Sequence, residues 1–141
     1  TDTQLTKLSD ELKNVKLYLE IEKIRFEGKF NYLENVDKTC CDLLVPNMLL
    51  QPVFENAIKH GVYESLDVVD IITNCTKEDD YIKIIVQNNY DKDSVPRKGE
   101  GIGLKNIKNR LELMYKQTNL LTINKTESLF TVTIFIPLKV N

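Results

Sequence analysis

Two hydrophobic periods alternate along this chain, and their order limits the folds open to it. Leu5, Leu8, Leu12, Val15 and Leu19 recur every three or four residues, which predicts a helix from Leu5 to about Phe26. Ile21 and Ile24 widen its stripe, and Gly28 ends it. Lys29 to Glu34 reads as a short strand. Val45-Pro46-Asn47 reads as a helix entry, with proline in the first turn where a missing N–H costs nothing. That helix runs to His60 on a stripe of Leu49, Leu50, Val53, Phe54 and Ala57, and Gly61 is its expected left-handed terminator. Pro52 falls inside it and is expected to bend it or free a carbonyl. Leu66–Cys75 and Tyr81–Asn88 read as strands, and the second puts Ile82, Ile84, Val86 and Asn88 on one face. A polar stretch from Asn89 to Glu100 reads as a loop, closed by Gly99, Gly101 and Gly103. Leu104 to about Lys116 is a helix, followed by strands near Asn119–Asn124 and Leu129–Pro137. The last strand turns Phe130, Val132, Ile134 and Ile136 inward. Such an order predicts an α+β fold, a two-layer sandwich with a mixed sheet covered on one face by helices.

At 141 residues the chain is long enough for one core. Nineteen basic against 21 acidic residues leave a net charge of −2, so no bulk field draws it to nucleic acid, and no direct nucleic-acid contact is expected. Cys40 and Cys41 are adjacent and Cys75 stands apart, without a CxxC pair and with His60 the one histidine. A disulfide scaffold or a structural metal site is therefore not expected, and the thiols read as small hydrophobes of a reducing compartment. No signal-like segment opens the chain, and Leu43–Phe54, the longest apolar stretch, is too short to span a bilayer.

Two segments carry chemistry. Asn56, Lys59 and His60 sit at i, i+3 and i+4, on one side of the second helix. An amide oxygen suits a hard cation, and an ammonium suits phosphate oxygens. Amphipathic helices carry polar faces in any case, so this grouping alone decides little. Gly99-Glu-Gly101-Ile-Gly103-Leu104 is a glycine-rich run opening into a helix, where backbone N–H groups can meet an anion. Lys92, Arg97 and Lys98 precede it. A dinucleotide fingerprint fails because Leu104 replaces the last glycine, and a Walker A loop fails because no Gly-Lys-Ser/Thr follows.

Taken in order, the two segments resemble the Bergerat (GHKL) nucleotide fold of gyrase-type ATPases, chaperones and histidine kinases. Three stretches sharpen this: ELKNVKLYLEIEKIRF (Glu11–Phe26), VPNMLLQPVFENAIKHG (Val45–Gly61) and GIGLKNIKNRLELMY (Gly101–Tyr115) look like the LytS-type sensor histidine kinases. The resemblance implies an ATP-binding catalytic domain over 29–141, behind an N-terminal helix in 1–28 that continues from a dimerisation and phosphoacceptor region. It implies ATP and Mg2+ as cofactors, with Asn56 as the magnesium ligand and catalytic residue. Lys59 and His60 would lie near the phosphates or ribose, and Gly101, Gly103 and the Leu104 backbone would wrap the phosphate tail. The implied partners are a phosphoacceptor helix of the same or a sister chain, a downstream response regulator, and a second copy in a homodimer. The implied setting is a cytoplasmic domain of an inner-membrane parent.

Two departures stand out. The family places an aspartate in an Asp-x-Gly-x-Gly box to bind the adenine amine, whereas this chain has Asn88-Asn89-Tyr90-Asp91-Lys92. Asn88 can accept that hydrogen bond but without charge assistance, so weakened ATP affinity or a rearranged adenine end is expected. On the last strand, Phe130 stands near the family's Gly-Thr. Hydrolysing relatives carry a general-base glutamate one turn before the asparagine; here that position is Pro52, which favours phosphoryl transfer over hydrolysis. A degenerate module serving protein contact, or a GHKL-type serine kinase or ATPase, is the alternative.

Overall fold

The computed structural model describes residues 4–63, 65–91 and 102–138. In chain order they form β1 (Leu5–Lys7), α1 (Leu8–Arg25), β2 (Phe30–Val36), a short 3-10 turn at Lys38–Cys40 and β3 (Leu44–Pro46). Next come α2 (Gln51–Ala57), a π-helical turn (Ile58–Val62), β4 (Val69–Glu78) and β5 (Tyr81–Asn89). α3 (Ile102–Tyr115), β6 (Leu121–Lys125) and β7 (Leu129–Pro137) complete the described chain. The main sheet has the order β2-β4-β5-β7-β6. Its β2–β4 pair is parallel and the others antiparallel, so the sheet is mixed as expected.

The period-2 faces meet the period-3.6 stripes in one core. Ile71, Ile82, Ile84, Val86, Val132, Ile134 and Ile136 pack beneath Leu8, Leu12, Val15 and Leu19 of α1, Phe54 of α2 and Leu111 of α3. Each such side chain fully withdrawn from water contributes roughly 1.5–3 kcal/mol. The opposite face of β5, with Lys83, Ile85 and Gln87, is only half-buried. Helices therefore cover one face. None of the described helices is long and apolar enough to cross a membrane.

Several boundaries differ from the sequence reading, each for a local reason. Leu5–Lys7 does not join the first helix. It pairs antiparallel with Leu44–Pro46, which removes Val45 and Pro46 from the second helix as well. α1 then starts at Leu8, its first amides donating to the carbonyls of Leu43 and Cys41 at 2.9 and 3.0 Å. Ile21 and Ile24 do not widen the buried stripe, being 65% and 81% exposed. At the other end Gly28 does stop the helix. Glu27 N–H donates to Ile24 O and Gly28 N–H to Lys23 O, a Schellman pair, with φ of +52° and +74°.

α2 begins only at Gln51, which places Pro52 in its first turn rather than its middle, so the expected bend does not arise. The amides that lead into it have a partner far away in sequence. The buried carboxylate of Glu11 on α1 accepts from Met48, Leu49 and Leu50 N–H at 3.2, 2.7 and 3.3 Å. Gly61 does not terminate the helix in a left-handed conformation. It lies inside the π turn, where Tyr63 N–H reaches back five residues to Ile58 O at 2.9 Å. β4 starts at Val69 and leaves Leu66 exposed, and β6 starts at Leu121 after a left-handed Asn119. α3 starts two residues before Leu104, so Gly103 is in its first turn.

Candidate functional site

The buried stripe of α2 fixes which of its side chains remain for chemistry. Val53, Phe54 and Ala57 point into the core, and Asn56, also buried, sits beside them at the edge of an open cleft. The cleft has a volume of about 500 Å³. Asn56, Lys59 and His60 line one wall with Pro52 and Glu55; Tyr18, Glu22 and Arg25 of α1 form another; Gly103 and Leu104 of α3 close a third. The π turn widens the backbone beneath Lys59 and His60, yet all three polar residues of the sequence grouping reach the same cleft.

A second cavity, only about 20 Å³, lies behind Asn56 and His60 and is lined by Asn88, Tyr90, Lys125 and Phe130. Asn88 sits in the sheet between Ile71 of β4 and Phe130 of β7, on the covered face with Ile82, Ile84 and Val86. Its amide donates from Nδ2 to Asn89 O at 3.1 Å. The neighbouring Gly61 lies against it, and a Cβ there would come to 2.7 Å from Asn88 Nδ2, so the amide would have to shift. Tyr90 closes the cavity from the side, its hydroxyl donating to Thr126 O and its ring facing Lys125 Nζ at 5.3 Å. A phenyl at position 130, where the resembled family has small residues, fills space directly across from Asn88.

Gly103 is different. A Cβ there would meet Pro52 Cβ at 3.7 Å, an ordinary contact, so packing does not demand glycine. Leu104 is buried under α3. Gly101, together with Gly99, Lys92, Arg97 and Lys98, lies outside the described residues.

The α1 wall was not singled out by the sequence reading. Tyr18, Glu22 and Arg25 recur at i, i+4 and i+7, a polar stripe within the same segment that carries the family resemblance. Arg25 donates from Nη2 to Tyr63 Oη at 2.8 Å, and its Nη1 lies 3.9 Å from Glu22 Oε1. Burial pushes the Tyr18 phenol well above its usual range, with the Glu22 and Glu55 charges adding to the effect, so it stays a neutral donor at physiological pH. Among the described residues, no group of three or more His, Cys, Asp or Glu side chains is placed to hold a metal ion. A magnesium ion that keeps water and ligand phosphates needs only one or two protein oxygens, and Asn56, which lines the cleft, carries an amide oxygen of the kind that would serve.

No family model matches the chain. It is 30% identical over 146 aligned residues to the sensor protein LytS of Staphylococcus epidermidis, covering 94% of this chain and 24% of that protein. To the sensor histidine kinase/phosphatase LytS of Staphylococcus aureus it is 34% identical, covering 86% of this chain and 23% of the relative. The chain thus spans about a quarter of the length of the curated relatives it matches. Among solved structures, the catalytic domain of histidine kinase ThkA superposes with a TM-score of 0.64 at 14% identity, covering 97% of each chain. The same kinase in complex with the response regulator protein TrrA matches with a TM-score of 0.60 at 14% identity, over 96% of this chain and 41% of that one. The mixed sheet under one helical layer is thus the histidine-kinase catalytic fold. The resemblance carried by the three segments is met by named relatives over most of the chain, and the protein is related in sequence and in fold to the catalytic domain of LytS-type sensor histidine kinases.

Proposed function

We propose that this chain is the ATP-binding catalytic domain of a sensor histidine kinase, holding Mg·ATP so that its γ-phosphate reaches a histidine outside the chain. One observation carries the reading: Asn56 borders both the open cleft and the small cavity that contains Asn88. An elongated ligand whose base meets Asn88 and whose phosphates lie in the cleft must pass Asn56. Bound magnesium would neutralise charge on the phosphates and polarise the transferring group. Asn56 would hold that ion, Lys59 would balance phosphate charge, and the amides of Gly103 and Leu104 at the start of α3 would face the phosphate tail. His60, bordering both cavities, would sit at the ribose. Pro52 offers no base one turn before Asn56, which supports transfer to a side chain rather than to water. A phosphoacceptor helix, a response regulator, a homodimeric parent in the inner membrane and a cytoplasmic setting belong to the same proposal. So does the reading of 1–28 as the segment that connects the nucleotide domain (29–141) to the rest of a parent protein, with its helix α1 packed into that domain's core.

Calorimetric titration with Mg·ATP tests it. The expected result is saturable binding that Asn56→Ala weakens at least about tenfold, the equivalent of roughly 1.4 kcal/mol, in a variant with unchanged circular dichroism. No heat at millimolar nucleotide would overturn it. The closed cavity around Asn88 favours one second reading, a degenerate module kept for protein contact, and that null titration is its expected result.

A further inference from the structure

The cavity beside Asn88 is too small for the base proposed to sit there. Its volume of about 20 Å³ takes roughly one water molecule, and a purine ring system is several times larger. A wall has to move before a nucleotide can seat its base. Resting on the proposed nucleotide reading, we infer that Tyr90 is that wall: its ring is a gate over the base end of the site, and the strength with which the gate is held shut sets the affinity for purine nucleotides.

The other described lining residues are fixed by their elements. Asn56 and His60 belong to α2 and the π turn, while Asn88, Phe130 and Lys125 stand in register across β5, β7 and β6. Phe130 also packs against the core. Tyr90 alone among them lies outside any helix or strand, half-buried just past the end of β5. Its backbone is anchored, since its N–H donates to Ser128 O at 3.0 Å in the β6–β7 turn. That turn is itself tied by Thr126 N–H to Leu129 O at 2.9 Å and Leu129 N–H to Thr126 Oγ1 at 3.0 Å. The side chain is held at its tip, where the hydroxyl donates to Thr126 O, and along its face, where Lys125 Nζ lies 5.3 Å from the ring centroid. An anchored backbone with a ring tied at its far end is a hinge with a latch. The ring also has room to move: Tyr90 lines a second, open cavity of about 420 Å³ with Ser65, Asp67, Asn89 and Ser128. Rotation towards that space enlarges the cavity beside Asn88 without disturbing the sheet. A hydroxyl-to-carbonyl bond has a modest net worth, so the latch can yield to a ligand, and the bound affinity falls by the fraction of molecules whose gate is shut.

The test separates the base from the phosphates. Calorimetry on the 141-residue chain and its variants compares Mg·ATP, which carries a base, with Mg·tripolyphosphate, which does not. Tyr90→Phe keeps the ring and removes the latch, and should bind Mg·ATP roughly two- to tenfold tighter, the net effect of one hydrogen bond. Tyr90→Ala removes the gate as well, and should tighten Mg·ATP at least as much. Tripolyphosphate should bind both variants as it binds the unaltered chain. Unchanged Mg·ATP affinity in both variants would overturn the inference. Weaker Mg·ATP binding by Tyr90→Ala would also overturn it, by showing that the ring supports the base rather than blocks it. An equal gain for tripolyphosphate would overturn it too, since the effect would not lie at the base. Tyr90→Phe retains the ring's bulk, so it decides the matter if Tyr90→Ala does not fold. Absence of Mg·ATP binding by the unaltered chain, with none gained by either variant, would instead overturn the nucleotide reading itself.

Discussion

The two ends of the site are built on opposite principles. Around Asn88 the chain packs a glycine, a phenyl and a tyrosine against one amide and leaves about 20 Å³; around Arg25 and Lys59 it leaves about 500 Å³ rimmed by charged side chains. Tight packing selects by shape and tolerates no added atom, whereas an open charged rim selects by charge and tolerates many ligand poses. The two cavities share Asn56 and His60 among their described lining residues, so on the proposed reading changes at the closed end and at the open end should act separately.

Five substitutions or probes test that contrast or serve as controls outside it. The largest effect is expected at Glu11, which supports the helix common to both ends. Glu11→Ala orphans up to three amides near the start of α2, and chemical denaturation should show a loss of about 2–4 kcal/mol. A loss below half a kilocalorie per mole would mean that water replaces the carboxylate. Next, Asn88→Asp removes a buried donor and sets a carboxylate against Asn89 O, so stability should drop by about 1–3 kcal/mol at neutral pH. Protonation of that carboxylate restores the donor, hence the variant should regain stability as pH falls, and a flat pH profile would show that the closed end is wetter than its packing indicates.

Gly61→Ala should cost about 1–2 kcal/mol by driving a methyl into Asn88, and the cost should shrink in an Asn88→Ala background. Additive losses would disconnect Gly61 from the closed end. The smallest effect concerns a control distant from both ends. Burial pushes the Cys75 thiol up to about 12 from its ordinary 9.0, with Cys40 and Glu34 adding to the effect. A raised thiol favours the folded state below pH 9 and loses that contribution as pH climbs towards 12, so Cys75→Ala should flatten stability over that window. In the native protein at pH 8, Cys41 should react with a thiol reagent well before buried Cys40 and Cys75, and equal rates would contradict their burial.

What the sequence disclosed follows from which forces are local. Alternation in Tyr81–Asn89 and Leu129–Pro137 was readable because every second residue enters one core, and the face assigned to Asn88 followed from it. The fold class came from the order of such runs. Leu5–Lys7 was misread because a helical stripe continues through it in sequence while its backbone bonds go to Leu44–Pro46, some 40 residues on. The same long-range pairing removed Val45 and Pro46 from the second helix, and the shift in helix start is why Pro52 bends nothing. Gly61 resembled a terminator because glycine before a polar segment usually is one; the demand placed on it comes from Asn88 in a different strand. Asn56, Lys59 and His60 were grouped by their spacing alone and do line one cleft, whereas seeing Arg25 and Glu22 beside them needed the cleft, since nothing local joins α1 to Tyr63.

The Glu11 carboxylate also makes two helices one mechanical part. Its bonds to residues 48–50 tie the first turn of α1 to the segment that launches α2, across 37 to 39 positions of chain. A load on α1 therefore has a hydrogen-bonded route to the helix bearing Asn56, much shorter than the chain between them.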